Sequence, residues 1–173
     1  MMRRLHTACS RAVLLVAAVL ALGGCGYYTF TGASIPEHLG TIAVPLVIDE
    51  SVSTVTSLED TMTELLLDRF VQQTRLSLEQ DENRADAVLR ARILRYTNQP
   101  TSITGNEQAS RNRVSIAVQV VYTDRVREQE LLNRSFSAFE DYDPLDPSLE
   151  EAAASAALEK IADDIFTAAT SNW

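Results

Sequence analysis

Apolar residues alternate with polar ones in four segments of the chain, a period that is typical of strands with one buried face. The segments predict strands over residues 41–49, 85–97, 113–122 and 131–140. The third is the cleanest, because Val114, Ile116, Val118, Val120 and Tyr122 alternate without interruption. Pro45 lies inside the first strand and demotes it toward an edge or a bulge, because proline has no N–H for the ladder.

A second period, of three to four residues, predicts two helices. The first would begin at Leu58, after a capping box at Thr56–Glu59, and run to about Leu78. The second would begin at Asp146-Pro147, an N-cap followed by proline at the first helical position, and run to about Ala169. Residues 98–110 contain Pro100 and Gly105 and predict a polar connection.

The order of the predicted elements is β-α-β-β-β-α, which indicates an α+β fold. The economical arrangement is a two-layer sandwich with both helices packed on one face of a mostly antiparallel four-stranded sheet. Residues 41–173 would form this single domain. The other sheet face would carry arginine, serine, glutamine and asparagine, so it would face water or a polar partner.

The N-terminus has the features of an export signal. Arg3, Arg4 and Arg11 precede an apolar run over residues 12–22, which is too short to span a bilayer. The following segment, Leu22-Gly23-Gly24-Cys25, resembles the bacterial lipobox. The resemblance implies that residues 1–24 are removed and that Cys25 carries an N-acyl chain and an S-diacylglycerol. Residues 25–40 would then be a lipidated tether, and Gly26 after the cysteine implies sorting to the outer membrane.

Charge and cysteine content narrow the classes of function. The 173 residues carry 15 basic and 24 acidic side chains, a net charge of -9, which argues against nucleic-acid binding through broad phosphate contacts. Loss of residues 1–24 removes three arginines and no acid, and both cysteines are then outside the folded domain, so no disulfide is expected. Adaptation to high salt and a GC-rich genome that prefers arginine codons both remain open as reasons for the acidity.

Candidate chemistry is sparse. After loss of the signal the one histidine is His38, in the predicted tether, where a solvated side chain is favoured over a catalytic one. The acidic run at residues 140–146 has oxygens for calcium, but Asp143-Pro144 favours a turn and Asp146 a helix cap. We find no zinc cluster and no phosphate-binding loop, so we expect no metal, no cofactor and no enzymatic activity.

Arginines on the predicted strands could form a basic stripe for phosphates or carboxylates. Side chains of equal parity share a sheet face, so Arg90 and Arg92 should point together, and Arg113 could join them. A solvated face that is balanced by nearby acids is the favoured interpretation. The candidate residues for contact with a partner are Arg90, Arg92, Arg111, Arg113 and Arg134.

The run from Cys25 to Pro36, followed by Thr41-Ile42-Ala43-Val44-Pro45, resembles the start of the LptE family of lipopolysaccharide-assembly lipoproteins, in its Bacteroidota-type branch. Arg134-Ser135-Phe136 before an acidic turn is also similar, and the family's two-layer fold agrees with the predicted order. Proteobacterial members carry basic residues in two loops. Here residues 98–110 have none and residues 140–147 are acidic, so no ligand residue is carried over.

The resemblance implies a non-enzymatic lipoprotein that helps to assemble and plugs the LptD-type β-barrel through which lipopolysaccharide enters the outer membrane. The polar sheet face and residues 98–110 would contact the barrel wall, and lipopolysaccharide itself is an open second partner. One alternative is an accessory lipoprotein of another envelope lipid-transport or secretion complex. A third hypothesis is an enzyme or a calcium-dependent binder that uses the acidic turn.

Overall fold

Three long antiparallel strands form the centre of the fold, and the computed structural model describes them within residues 35–101 and 111–171. The elements in chain order are β1 (Thr41–Ala43), β2 (Ile48–Asp49), α1 (Leu58–Leu67), β3 (Ser77–Leu78), β4 (Ala87–Thr101), β5 (Arg111–Asp124), β6 (Gln129–Tyr142) and α2 (Ser148–Thr170). A short π-helical segment, Asp68–Gln72, extends α1. The α+β class with two helices is therefore confirmed.

The sheet is mixed and six-stranded, so the prediction of a mostly antiparallel sheet with four strands was wrong in detail. Its order is β3-β1-β4-β5-β6, and β2 also pairs with β4. The β4–β5 and β5–β6 pairs are antiparallel, whereas β1 and β2 run parallel to β4. The extra strands are only two or three residues long, which is too short to produce a period in the sequence.

Pro45 explains why the first predicted strand divides into β1 and β2. The strand stops at Ala43 and resumes at Ile48, and both pieces pair with β4. Proline cannot donate to a ladder, so the break falls where the missing N–H would have been needed. The prediction that Pro45 demotes the strand toward an edge or a bulge fits β2, which pairs with β4 alone, but not β1, which pairs on both sides; a continuous strand over residues 41–49 is wrong.

The first helix ends earlier than its apolar spacing predicts. Helical structure stops at Gln72, and Ser77 and Leu78 form β3 beside β1 instead of a last helical turn. The π-helical segment keeps Phe70 fully buried, edge-on to Phe166 at a ring distance of 5.5 Å. At the other end Ser57 is the N-cap and makes no side-chain capping bond, so the predicted capping box does not form.

Helix α2 covers β5 and β6, and its buried face is rich in alanine. Ala153, Ala154, Ala157 and Ala162 are all buried together with Leu158 and Ile161. Small side chains let a helix approach its neighbour closely, as the run over residues 152–157 predicted. Helix α2 begins one residue later than predicted, with Pro147 as the N-cap, and the Oδ1 of the preceding Asp146 accepts hydrogen bonds from the Ser148 amide (3.0 Å) and hydroxyl (2.6 Å).

A β-bulge at Leu94 decides which side chains of β4 reach the core. Ile93 pairs with Val118 and Arg95 pairs with Ala117, so Leu94 has no partner in the register. Because neighbouring residues point to opposite faces, one extra residue reverses the face to which each later side chain of the strand points. The bulge thus returns Tyr96 to the core and leaves Arg95 on the opposite face.

The β4–β5 hairpin is longer than predicted. Residues 98–101 continue β4 and pair with residues 111–114 of β5, although they were predicted as part of a polar connection. The side-chain amides of Asn98 and Asn112 near this end donate to the Tyr142 hydroxyl, whereas the Oδ1 of Asn98 is buried without a partner among the described residues. A second irregularity, between Tyr122 and Thr123, leaves Leu131 unpaired and accounts for the adjacent leucines of β6.

The carboxylate of Glu150 joins the first turn of α2 to the sheet. It accepts hydrogen bonds from the Tyr96 hydroxyl (2.7 Å) and the Thr54 hydroxyl (2.8 Å). Tyr142 also donates to it at 3.4 Å, while Asn98 donates to Tyr142 at 2.6 Å. The hydrogen bonds from Tyr96 and Thr54 hold the pKa of Glu150 below its ordinary value, so it is ionised at neutral pH.

Two tyrosine-to-phenylalanine variants should differ in their effect on stability. Tyr96→Phe removes a buried donor to Glu150, so the free energy of unfolding should fall by about 1–2 kcal/mol. Tyr122→Phe removes a buried hydroxyl that has no partner among the described residues, so stability should stay the same or rise. Urea unfolding followed by circular dichroism tests both, and equal losses in the two variants would contradict the assigned network.

Candidate partner-binding surface

The sheet face opposite the helices is polar and carries four of the five predicted contact arginines. On β5 the even positions 114–122 are buried and the odd positions 111–121 are not, so the odd set forms what we call the open face. By register, Arg90, Arg92 and Arg95 of β4 lie on the same face as Arg111 and Arg113. Serine, glutamine and asparagine side chains of β5 and β6 surround them, and Gln119 donates to Asn133 at 2.7 Å.

Arg90 and Arg92 lie next to each other on β4, as their parity predicts, and each has an acidic partner. Arg90 pairs with Glu82, and the Arg92 guanidinium lies 3.5 Å from Glu50. All four of these side chains are more than a third exposed, so each ion pair contributes little to stability. The acids come from loops at the rim of the open face, so they balance the charge of the arginines without covering them.

Arg113 has the most specific geometry on the open face. Its Nε and Nη2 donate to the two oxygens of Asp141 at 2.6 and 2.9 Å, a bidentate pair between β5 and β6. The same guanidinium lies 4.0 Å from the centre of the Phe139 ring. The hydrogen bond from Arg113 lowers the pKa of Asp141, and Arg111 adds to this effect through its charge.

Arg134 lies on the other side of the sheet. It pairs with Val120, whose side chain is buried under the helices, so Arg134 shares the helix-side parity. Its guanidinium lies 5.1 Å from the ring of Phe136. The five candidate arginines therefore do not form one stripe.

A groove of about 420 Å³ opens at one end of the open face, and sequence reasoning missed it. Arg90, Arg92 and Gln119 line one side, and Pro45, Leu46 and Ile48 line the other. Leu46 is 62% exposed and Ile48 is 57% exposed. Both belong to the alternation that predicted the first strand, and because β2 pairs with β4 at Arg92, Ile48 lies on the open face. The groove combines an apolar wall with arginines.

His38 is held by a buried carboxylate and is not a solvated loop residue. Its Nε2 lies 2.6 Å from Oδ2 of Asp124, which is only 1% exposed at the end of β5. Asp124 also accepts the Arg127 amide at 3.0 Å. Burial alone would raise the pKa of Asp124, but the hydrogen bonds from Arg127 and His38 bring it below its ordinary value. The pair joins the chain before β1 to the end of β5.

Residues 35–41, which include His38, are called the entry segment. Two further charged residues hold this segment in place. Arg75 donates to the carbonyl oxygens of Ile35, Pro36 and Leu39, and the Asp86 carboxylate accepts the amides of Gly40 and Thr41 at 2.9 Å. These amide hydrogen bonds lower the pKa of Asp86. Ile35 and Leu39 are buried in the core, so residues 35–40 belong to the folded unit rather than to a tether.

Carboxylates of the acidic turn at residues 140–146 accept hydrogen bonds from the backbone. Asp143 Oδ1 accepts the Leu145 amide at 2.9 Å, and Asp146 Oδ1 accepts the Ser148 amide at 3.0 Å. Within residues 35–101 and 111–171, no cluster of three or more metal-ligating side chains occurs. Cys25, the tether over residues 25–34 and residues 102–110 lie outside the described residues.

A family model described as LptE, lipopolysaccharide-assembly, matches residues 39–169. The match extends from the entry segment to the end of α2 and so includes every described helix and strand. A search of curated protein sequences finds no significant match.

Solved structures of remote sequence share the fold. A protein from Helicobacter pylori described as a neuraminyllactose-binding hemagglutinin homolog is 12% identical, covers 82% of this chain and 91% of its own, and has a TM-score of 0.56. A protein from Xanthomonas campestris is 9% identical over 78% of this chain and 88% of its own, with a TM-score of 0.55. Uncharacterized lipoprotein B from Nitrosomonas europaea is 11% identical over 82% and 87%, with a TM-score of 0.51.

Asp124→Asn should destabilise the protein in a pH-dependent manner. A carboxyl with a lowered pKa in the folded state stabilises it above the ordinary pKa, and the contribution is lost as the pH falls through the folded pKa. We therefore expect a loss of about 1–3 kcal/mol in the free energy of unfolding at neutral pH, which shrinks below about pH 4. Urea unfolding of the variant and the unmodified protein over a pH series measures this loss.

The matched control for this series is Asp143→Asn, on an exposed carboxyl, which should change little at any pH. A loss in Asp124→Asn that persists undiminished at about pH 2 would contradict an ionised Asp124 as its cause.

Proposed function

The chain belongs to the LptE lipopolysaccharide-assembly family, and we propose that it supports an outer-membrane β-barrel of the LptD type as a plug and assembly partner. The family is one of non-enzymatic envelope lipoproteins. The observation that carries the proposal is the family match over residues 39–169, which includes all of the elements that form the open face. The Bacteroidota-type branch stays a prediction.

The open face supports this role through its chemistry. Outside the groove beside Leu46 and Ile48 it is mainly polar, and no helix of the described residues covers it, since both helices pack on the opposite face. The lumen of a large outer-membrane barrel is lined by polar side chains, so the polar groups of the sheet face can find hydrogen-bond partners there. Arg92, Arg113 and Gln119 would provide hydrogen bonds to the barrel wall.

Attachment through Cys25 is part of the proposal. No helix in residues 35–101 or 111–171 is long and apolar enough to cross a bilayer. Acyl chains contribute about 0.8 kcal/mol per buried CH₂, and more than one chain is needed for stable attachment. An N-acyl chain and an S-diacylglycerol on Cys25 would hold the protein in the outer membrane, and no other cofactor is proposed.

Purification of the tagged, lipidated protein from its native outer membrane in mild detergent tests the partner. We expect a stoichiometric large β-barrel of the lipopolysaccharide-insertion type that survives a salt wash, identified by mass spectrometry. Recovery of the protein alone would overturn the proposal. Recovery with an unrelated lipid-transport or secretion complex would overturn it in favour of the accessory role.

A pair of identical substitutions tests the open face. Ser115→Trp places a bulky side chain at the middle of β5 on the open face, so the barrel should be lost from the purified complex. Ser155→Trp places the same side chain on the exposed side of α2, so the barrel should be retained. Circular dichroism confirms folding of both variants. Retention of the barrel by Ser115→Trp would show that the open face does not touch it.

A further inference from the structure

We propose that the outer edge of β6 is a second docking site, at which an extended segment of the partner barrel adds a strand to the sheet. This inference rests on the proposed function. β6 is the last strand of the sheet, and no strand of the described residues pairs with its outer side. Its 14 residues therefore present a long row of backbone N–H and C=O groups along one edge.

β6 is protected as an edge strand only in part, because it has a bulge at Leu131 and the charged residues Arg134 and Glu140 on its helix side, but it is long and lacks two other common safeguards. Natural edges are short, or contain proline or outward lysine, which discourage pairing with another chain. Residues 129–142 contain neither proline nor lysine. Its charged side chains on the helix side have partners within the protein: Arg134 stacks on Phe136, and Glu140 pairs with Lys160 of α2. The opposite edge of the sheet is formed by β3, which has only two residues.

A groove of about 620 Å³ lies directly beside this edge. The C-terminal part of β6 forms one wall, and the flank of α2 forms the other with Leu149, Ala152 and Ala156. Leu145, which is 90% exposed, stands at its end. An added strand would point alternate side chains into this groove and toward the open face. The small alanines leave room for apolar side chains of the added strand.

These features define the occupant as an extended segment that alternates apolar and polar residues and carries basic residues near Asp143. Only an extended backbone can satisfy a row of strand amides, as in other cases of strand addition. The groove is lined by Glu140, Asp141 and Asp143 and by one base, Arg111. Glu140 already pairs with Lys160 and Asp141 with Arg113, so Asp143 is the acid of this lining that has no cationic partner among the described residues. The chain has a net charge of -9, so a second copy would bring repulsion rather than complementary charge.

Photo-crosslinking in the native membrane tests the occupant. A photoreactive amino acid in place of Ala152, in the groove, should crosslink to the barrel, and one in place of Asp60, on the exposed side of α1, should not. A crosslink from Ala152 to a second copy, or within the chain to residues 26–34, would overturn the proposal. If the barrel co-purifies but does not crosslink from Ala152, this inference fails while the proposed function stands.

Proline variants test whether the contact is made by backbone. Neighbouring N–H groups of a strand point to opposite sides, so of Arg134→Pro and Ser135→Pro one removes a bond to β5 and the other removes only an outward N–H. Urea unfolding distinguishes the two variants, because the one that keeps its bond to β5 should keep more of its free energy of unfolding. The stable variant should lose the barrel upon purification, whereas alanine at the same position should retain it. Retention by the stable proline variant would overturn strand addition.

Discussion

The burial of one face of the β4–β5–β6 sheet under α1 and α2 is the constraint on which the other features depend. With a strand period of two, the side chains that fill this core fix the positions that are left for the open face. The bulge at Leu94 shows how strict the constraint is, because one unpaired residue lets both Ile93 and Tyr96 reach the core. Arg95 faces outward only for that reason.

The same constraint explains how polar groups enter the structure. Three carboxylates that accept hydrogen bonds lie at the ends of elements, where backbone or hydroxyl donors are available: Asp124, which is buried, at the end of β5, and Glu150 and Asp86, which are half-buried, at the start of α2 and before β4. The middle of the core, around Phe70 and Leu158, is apolar. Ionised groups thus stabilise the borders between elements, while packing of the apolar face holds the layers together.

Long periodic segments could be predicted from the sequence, and features that depend on tertiary partners could not. The alternation in β5 and the stripe of α2 are local signals, so both elements occur where predicted. The end of α1 depends on pairing of Ser77 with β1, a contact distant in sequence. The sheet face on which Arg134 lies depends on the bulge near Leu131, and the position of His38 depends on Asp124, 86 residues away. Leu46 and Ile48 show the same limit, because alternation does not tell which sheet face is covered.

The bonds around the entry segment have a mechanical consequence. With the proposed attachment through Cys25, a pull from the membrane would enter the described part of the fold at the entry segment. That segment is joined to three separate places: Arg75 after α1, Asp86 before β4 and Asp124 at the end of β5. A pull on the chain ahead of Ile35 is shared among these places at once, so β1 is not peeled from the sheet one hydrogen bond at a time. Under such a pull the domain would move as one unit.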